Sequence, residues 1–156
     1  MTYQTTGAHA RSTAIEHREH LHRALIALED ALASPAPSRL AAWSDDAARR
    51  LHDLRGEFAR HVEITEGPDG LYDEVMAIAP ELSRALDTLR TEHLEIEESI
   101  STTLTSLADR TTDDPEAWVA SRREACTTLL GRLVRHRQRG ADLTWRAYND
   151  DLGGRG

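Results

Sequence analysis

The chain has 156 residues, 19 basic and 27 acidic, for a formal charge of −8 at pH 7. That length suits one domain with a sizeable core. The acidic balance argues against nucleic acid as a partner, because nucleic-acid binding needs a net basic footprint. No run of roughly 18 apolar residues exists to cross a membrane, and the opening MTYQTTGAHARST lacks the charged-then-apolar layout of a secretory signal. A single cysteine, Cys126, excludes an intramolecular disulfide framework and points to the reducing cytoplasm. Every basic residue is arginine and alanine is abundant, a composition typical of GC-rich bacterial genomes. Histidine stands out: 8 residues against one Phe and two Met, which makes it the first place to look for chemistry.

In chain order, residues 1–11 read as an N-terminal tail. Thr13-Ala14-Ile15-Glu16 has the form of a capping box, and an apolar periodicity follows through Ile15, Leu21, Leu25, Leu28 and Leu32. The prolines of SPAPS (34–38) stop that helix, and Ser38 is placed to cap the next. The second helix carries Leu51, Leu54 and Phe58 and ends at Gly67-Pro68-Asp69-Gly70. A short helix over LYDEVMAIA follows, and Pro80 suits the first turn of a third long helix with the stripe Leu82, Leu86, Leu89, Ile96, Ile100, Leu104 and Leu107. Asp114-Pro115-Glu116 is a strong start for a fourth, running from Trp118 to about Tyr148, with residues 151–156 as a tail. No strand alternation is sustained. The expected fold is all-α: an antiparallel up-down four-helix bundle over residues 12–150, with a short extra helix between the second and third long helices.

At about 100° per residue, each histidine can be placed against the apolar stripe of its helix. His17 lies within roughly 50° of the first stripe's centre, with His20 and His22 at its edges. His61 continues the series Leu51, Leu54, Phe58, whereas His52 points away. His93 falls between Leu89 and Ile96, with Glu97 one turn further on the inward side. His136 shares a face with Cys126, Leu129, Leu133, Gly140 and Leu143. Four helices thus each turn one histidine inward: His17, His61, His93 and His136. A single inward histidine is ordinarily a hydrogen-bonded core residue. Four in one small core need many partners, and a shared metal ion would satisfy one nitrogen on each ring. Periodicity does not fix whether the four meet at one height.

With Glu16-His17, Phe58-x-x-His61 followed by Thr65-Glu66, Glu92-His93 with Glu97, and Leu133-Val134-Arg135-His136, the chain resembles the hemerythrin-like (HHE cation-binding) family over residues 12–150. The resemblance implies a four-helix bundle that holds two oxygen-bridged irons on histidines and carboxylates and handles O2, peroxide or NO as carrier, sensor or oxidative enzyme. The metal ligands it implies here are His17, His61, Glu66, His93, Glu97 and His136. Three positions depart from the family pattern: Thr65 where a carboxylate is usual, Glu97 where a second histidine is usual, and Gly140 where the fourth helix usually carries a carboxylate. Asp142 points about 150° from that position on a regular helix. A modified di-iron site, a single Fe, Mn or Zn ion, and a metal-free bundle therefore all stay open, with Glu57, Asp142 and His20 as reserve ligands. Any enzymatic role would be that of an iron-dependent oxidoreductase. The different-class alternative is a helical ligand-binding or protein-interaction module. The arginines of 132–139 read as a solvated, ion-paired face, and Cys126 as an inert core thiol.

Overall fold

A computed structural model describes the backbone of residues 3–153 and, Ala14 and Pro37 aside, the side chains of residues 12–150. Helices α1 (Tyr3–Ala33), α2 (Leu40–Glu66), α3 (Leu71–Ile78), α4 (Ser83–Ala108) and α5 (Pro115–Gly153) account for nearly all of it, and no strand occurs among the described residues. Four of the helices are long and α3 has 8 residues, so the expected short helix between the second and third long ones is present. No described helix is long and apolar enough to cross a membrane.

Several boundaries differ from those read in the sequence. Helix α1 begins at Tyr3, well before the Thr13 capping box, so most of the expected tail over 1–11 is helical. The segment before Thr13 contains no proline and a single glycine, and nothing in it forces a stop. Ile15, counted in the first stripe, is 59% exposed. Ser38 does not cap α2: Pro37–Arg39 forms a 3-10 turn, and α2 starts from Arg39 with no side-chain cap bond. Pro80 likewise opens a 3-10 turn that leads into α4. Helix α5 extends to Gly153, into the expected C-terminal tail. Residues 1, 2 and 154–156 of the two tails lie outside the described residues. The Asp114-Pro115 start is as read: Asp114 Oδ1 accepts from Ala117 N–H at 3.0 Å, and Pro115 is the first helical residue.

The apolar stripes bury into two clusters. The larger takes Leu21, Leu25 and Leu28 from α1, Leu51, Leu54 and Phe58 from α2, Ile96, Ile100 and Leu107 from α4, and Cys126, Leu129 and Leu133 from α5. The smaller gathers Tyr72 and Val75 of α3 with Leu86 and Leu89 of α4 and Leu143 and Ala147 of α5. Side-chain bonds to backbone carbonyls tie the far end of the larger cluster. Ser44 Oγ donates to Leu107 O at 2.7 Å, and Arg123 Nε donates to Leu32 O at 2.8 Å. Trp118 is buried edge-to-face on Trp43 at 6.3 Å, while Trp145 is 65% exposed.

The turn from α2 into α3 needs its glycine for close approach rather than for an unusual φ. A Cβ on Gly70 would stand 2.6 Å from Ile64 O and 2.7 Å from Gly67 O. That tight return lays α3 back against the end of α2 and brings Tyr72 beside the histidines.

Candidate metal centre

His61, His93 and His136 sit at the seam between the two apolar clusters. Along α4, Leu89 belongs to the smaller cluster and Ile96 to the larger, with His93 between them. Along α5, His136 lies between Leu133 and Leu143 in the same way. Phe58, fully buried in the larger cluster, touches all three imidazoles, with ring centroids 5.7 Å from His61, 5.7 Å from His93 and 6.2 Å from His136. Tyr72, from the smaller cluster, stacks on His93 at 5.8 Å.

The three rings converge. One ring nitrogen from each lies within 4.8 Å of the others, and His61 Nε2 is 3.2 Å from His136 Nε2. The opposite nitrogens of two rings are held by carboxylates. His93 Nδ1 meets Glu66 Oε1 at 2.7 Å, and His136 Nδ1 meets Glu92 Oε2 at 2.8 Å. A carboxylate only accepts, so each Nδ1 carries the proton and donates it, which leaves an Nε2 lone pair on each ring facing the common point. Glu92 also pairs through its other oxygen with Arg139.

The surroundings favour neutral rings. Burial, reinforced by the imidazoles of His93 and His136, pulls His61 down from 6.5 to about 3. Burial also lowers His93 and His136, and outweighs the opposing pull of Glu66 on the first and Glu92 on the second. A neutral imidazole with a free lone pair is the form that binds a metal.

Of the six candidate ligands, then, the structure brings together His61, His93 and His136. Glu66 joins them at one remove: it is the last residue of α2, and its carboxylate reaches His93 Nδ1 rather than the common point. His17 is buried but stands outside the trio. Its Nδ1 is 3.6 Å from Glu57 Oε2, and both its ring nitrogens and that oxygen lack a hydrogen-bond partner. Glu97 departs from the expectation: it is exposed on α4 and is not among the converging groups. Of the reserve positions, Asp142 and His20 are exposed and Glu57 faces His17. His22 and His52 are exposed beside Arg137 and Arg55. His9 lies outside the described side chains.

Glu92, Tyr72 and Arg139 are the participants that the stripe arithmetic did not assign. Glu92 directly precedes a stripe histidine, which is the signal that could have marked it. The arginine cluster of 132–139 is also less uniform than a solvated face. Arg132 and Arg135 are exposed, whereas Arg139 bonds across to α4 and Arg137 is half-buried.

Comparison with family models, curated proteins and solved structures gives no match. The site is therefore read from its own geometry. Beside it opens a cavity of about 320 Å³, whose lining includes His17, His61, Thr65, Tyr72, Arg137 and Gly140. A Cβ built on Gly140 would meet nothing within 4 Å, so the missing side chain at this position leaves open space.

The donor set fits a metal ion by its chemistry. Three imidazoles suit Fe, Zn, Cu or Ni. Two of the three show the carboxylate–histidine pairing that fixes tautomer and ring orientation at such centres. The described carboxylates stand behind the rings rather than at the common point, an arrangement with fewer hard oxygen donors than two irons call for.

Proposed function

We propose that this protein is a metal-binding helical bundle of the hemerythrin-like kind, in which His61, His93 and His136 hold a transition-metal ion and the adjoining cavity admits a small molecule such as O2, peroxide or NO. The observation that carries this reading is the convergence of three neutral imidazoles, two of them held from behind by Glu66 and Glu92. Iron is the metal the resemblance favours, and three nitrogen donors equally suit zinc. When bound, the ion supplies a Lewis-acid or redox centre with coordination positions left for an exogenous ligand.

The chain's own residues do the rest. Glu66 and Glu92 fix the rings and raise the basicity of the donor nitrogens. Phe58 and Leu89, buried on either side, keep bulk water from the trio. Tyr72 Oη stands 3.5 Å from His93 Nε2 and lines the cavity together with Thr65. Its proton is held tightly, because burial pushes the phenol well above its ordinary pKa. Tyr72 is thus a hydrogen-bond donor toward whatever enters rather than a ready acid.

A dinuclear site is the second reading, favoured by one observation. His17 and Glu57 offer buried, unpartnered donor atoms to a second ion. Metal analysis of protein made in iron-rich medium separates the two. A single-ion centre gives about one equivalent that is lost in His61→Ala and His93→Ala and kept in His17→Ala. A dinuclear centre gives about two, roughly halved by His17→Ala or Glu57→Gln. Less than about a tenth of an equivalent of any metal, unchanged by His93→Ala, overturns both and leaves a helical ligand-binding or interaction module.

A further inference from the structure

We propose that the cavity beside the three histidines is a binding site for a small organic carboxylate, with its head group on Arg137 and His17 and its apolar body in the space left beside Gly140. This goes beyond the single-ion reading and does not depend on it, since neither Arg137 nor His17 belongs to the converging trio; a second ion on His17 would compete with it.

The first support is the charge of the lining. In a chain with 27 acidic residues, the cavity wall contains none. It contains two arginines, Arg18 and Arg137. Neither Arg18 nor Arg137 forms an ion pair among the described residues, although they stand close enough for their charges to repel. Among the described residues the Arg137 guanidinium meets no carboxylate, and its Nη1 lies 3.3 Å from His22 Nδ1. An uncompensated guanidinium pair over a low-dielectric wall is a site for an anion, and the planar arginine fork matches a carboxylate.

The second support is unmet hydrogen bonding. Arg137 Nε and both ring nitrogens of His17 are buried without a partner, and His17 is only 5% exposed. Buried polar atoms left unpaired are costly, and proteins rarely keep them unless something fills the place. Glu57 does not fill it, being 3.6 Å from His17 Nδ1 and absent from the cavity wall.

The third support separates an organic acid from an inorganic anion. The rest of the wall is largely apolar, with Leu21, Ile64, Leu71, Val134 and Ala141. Phosphate or sulfate would bury charge against these side chains, whereas a short aliphatic or aromatic body gains from the contact. The volume, about 320 Å³, is at the small end of ligand cavities.

The test uses full-length protein stripped of metal by chelation and titrated calorimetrically with hexanoate, 1-hexanol and inorganic phosphate. Hexanoate is expected to bind at one saturable site, at least about tenfold tighter than either control. Arg137→Gln should weaken hexanoate at least about tenfold and leave hexanol unchanged. Gly140→Leu should abolish hexanoate binding by occupying the cavity, with thermal melts confirming that both variants are folded. Hexanol binding as tightly as hexanoate reduces the cavity to an apolar void and overturns the proposal. Phosphate binding as tightly makes it a plain anion site and also overturns it, as does an unaltered Arg137→Gln or no saturable hexanoate binding. His93 does not line the cavity, so His93→Ala should lose metal and keep hexanoate. A failure of either reading is thereby told apart from a failure of the other.

Discussion

Glu92 offers the sharpest test of how the histidines are held. Its carboxylate has two attachments of different worth. One oxygen accepts from His136 Nδ1 at 2.8 Å, where the two side chains are 2% and 12% exposed. The other meets Arg139, whose side chain is 55% exposed, so that pair is largely screened by water. A charge-assisted bond in the sheltered position is worth about 1.5–3 kcal/mol, and the neutral amide of Glu92→Gln, which still accepts, keeps roughly half of that. The expected loss is therefore about 0.8–1.5 kcal/mol, or roughly four- to twelvefold in metal affinity. Arg139→Gln should cost less than about threefold, the value of an exposed pair. Cobalt(II) titration against a competing chelator, followed through the visible d–d bands, measures both. Equal losses in the two variants, or no loss in Glu92→Gln, would refute the view that Glu92 acts by holding His136.

Three further outcomes follow from the same geometry. His61 must stay neutral in the fold and titrates there near 3 instead of 6.5, so between those values the unfolded chain binds more protons. The metal-free protein should thus hold its full stability above pH 6.5 and lose up to about 1.4 kcal/mol per pH unit below it from this ring, a few kcal/mol in all once screening of the half-buried ring is counted. Urea midpoints at neutral and acid pH in the parent and in His61→Leu check this, and an equal acid loss in both would contradict it. Phe58→Ala removes a fully buried ring that touches all three imidazoles and should cost about 3–5 kcal/mol in chemical denaturation while weakening metal binding. Glu97→Gln should leave metal content and affinity unchanged by metal analysis, since its side chain is exposed and apart from the trio.

The contrast between Glu92 and Glu97 shows where sequence reading stops. On α4 the apolar stripe is centred roughly 20° to the Glu92 side of His93, so Glu92 and Glu97 flank it at about 80° and 60°. Helical arithmetic cannot rank them. What decides is which flank meets another helix, and α5 packs on the Glu92 side, as its bonds to His136 and Arg139 show. The inward histidines were legible because each continues a long stripe of leucines, isoleucines or phenylalanine. That His17 stands apart was not, because stripe position fixes an angle about a helix axis and leaves height along the bundle open. The Thr13 capping box misled for a related reason: a cap signal matters only where the chain leaves the helix, and α1 continues through it.

The placement of the histidines at the seam has a consequence for cooperativity. The larger cluster and the smaller one built around α3 meet across a layer of imidazoles rather than across continuous leucine packing. Polar layers of this kind weaken the coupling between the apolar regions on either side, and such regions open as separate units in native-state hydrogen exchange. Amides of α3 and of α5 beyond His136 should therefore exchange by sub-global opening, ahead of those near Leu54 and Ile100. Any ligand that bonds to all three rings at once would clasp α2, α4 and α5 together and bring the two exchange rates toward one another.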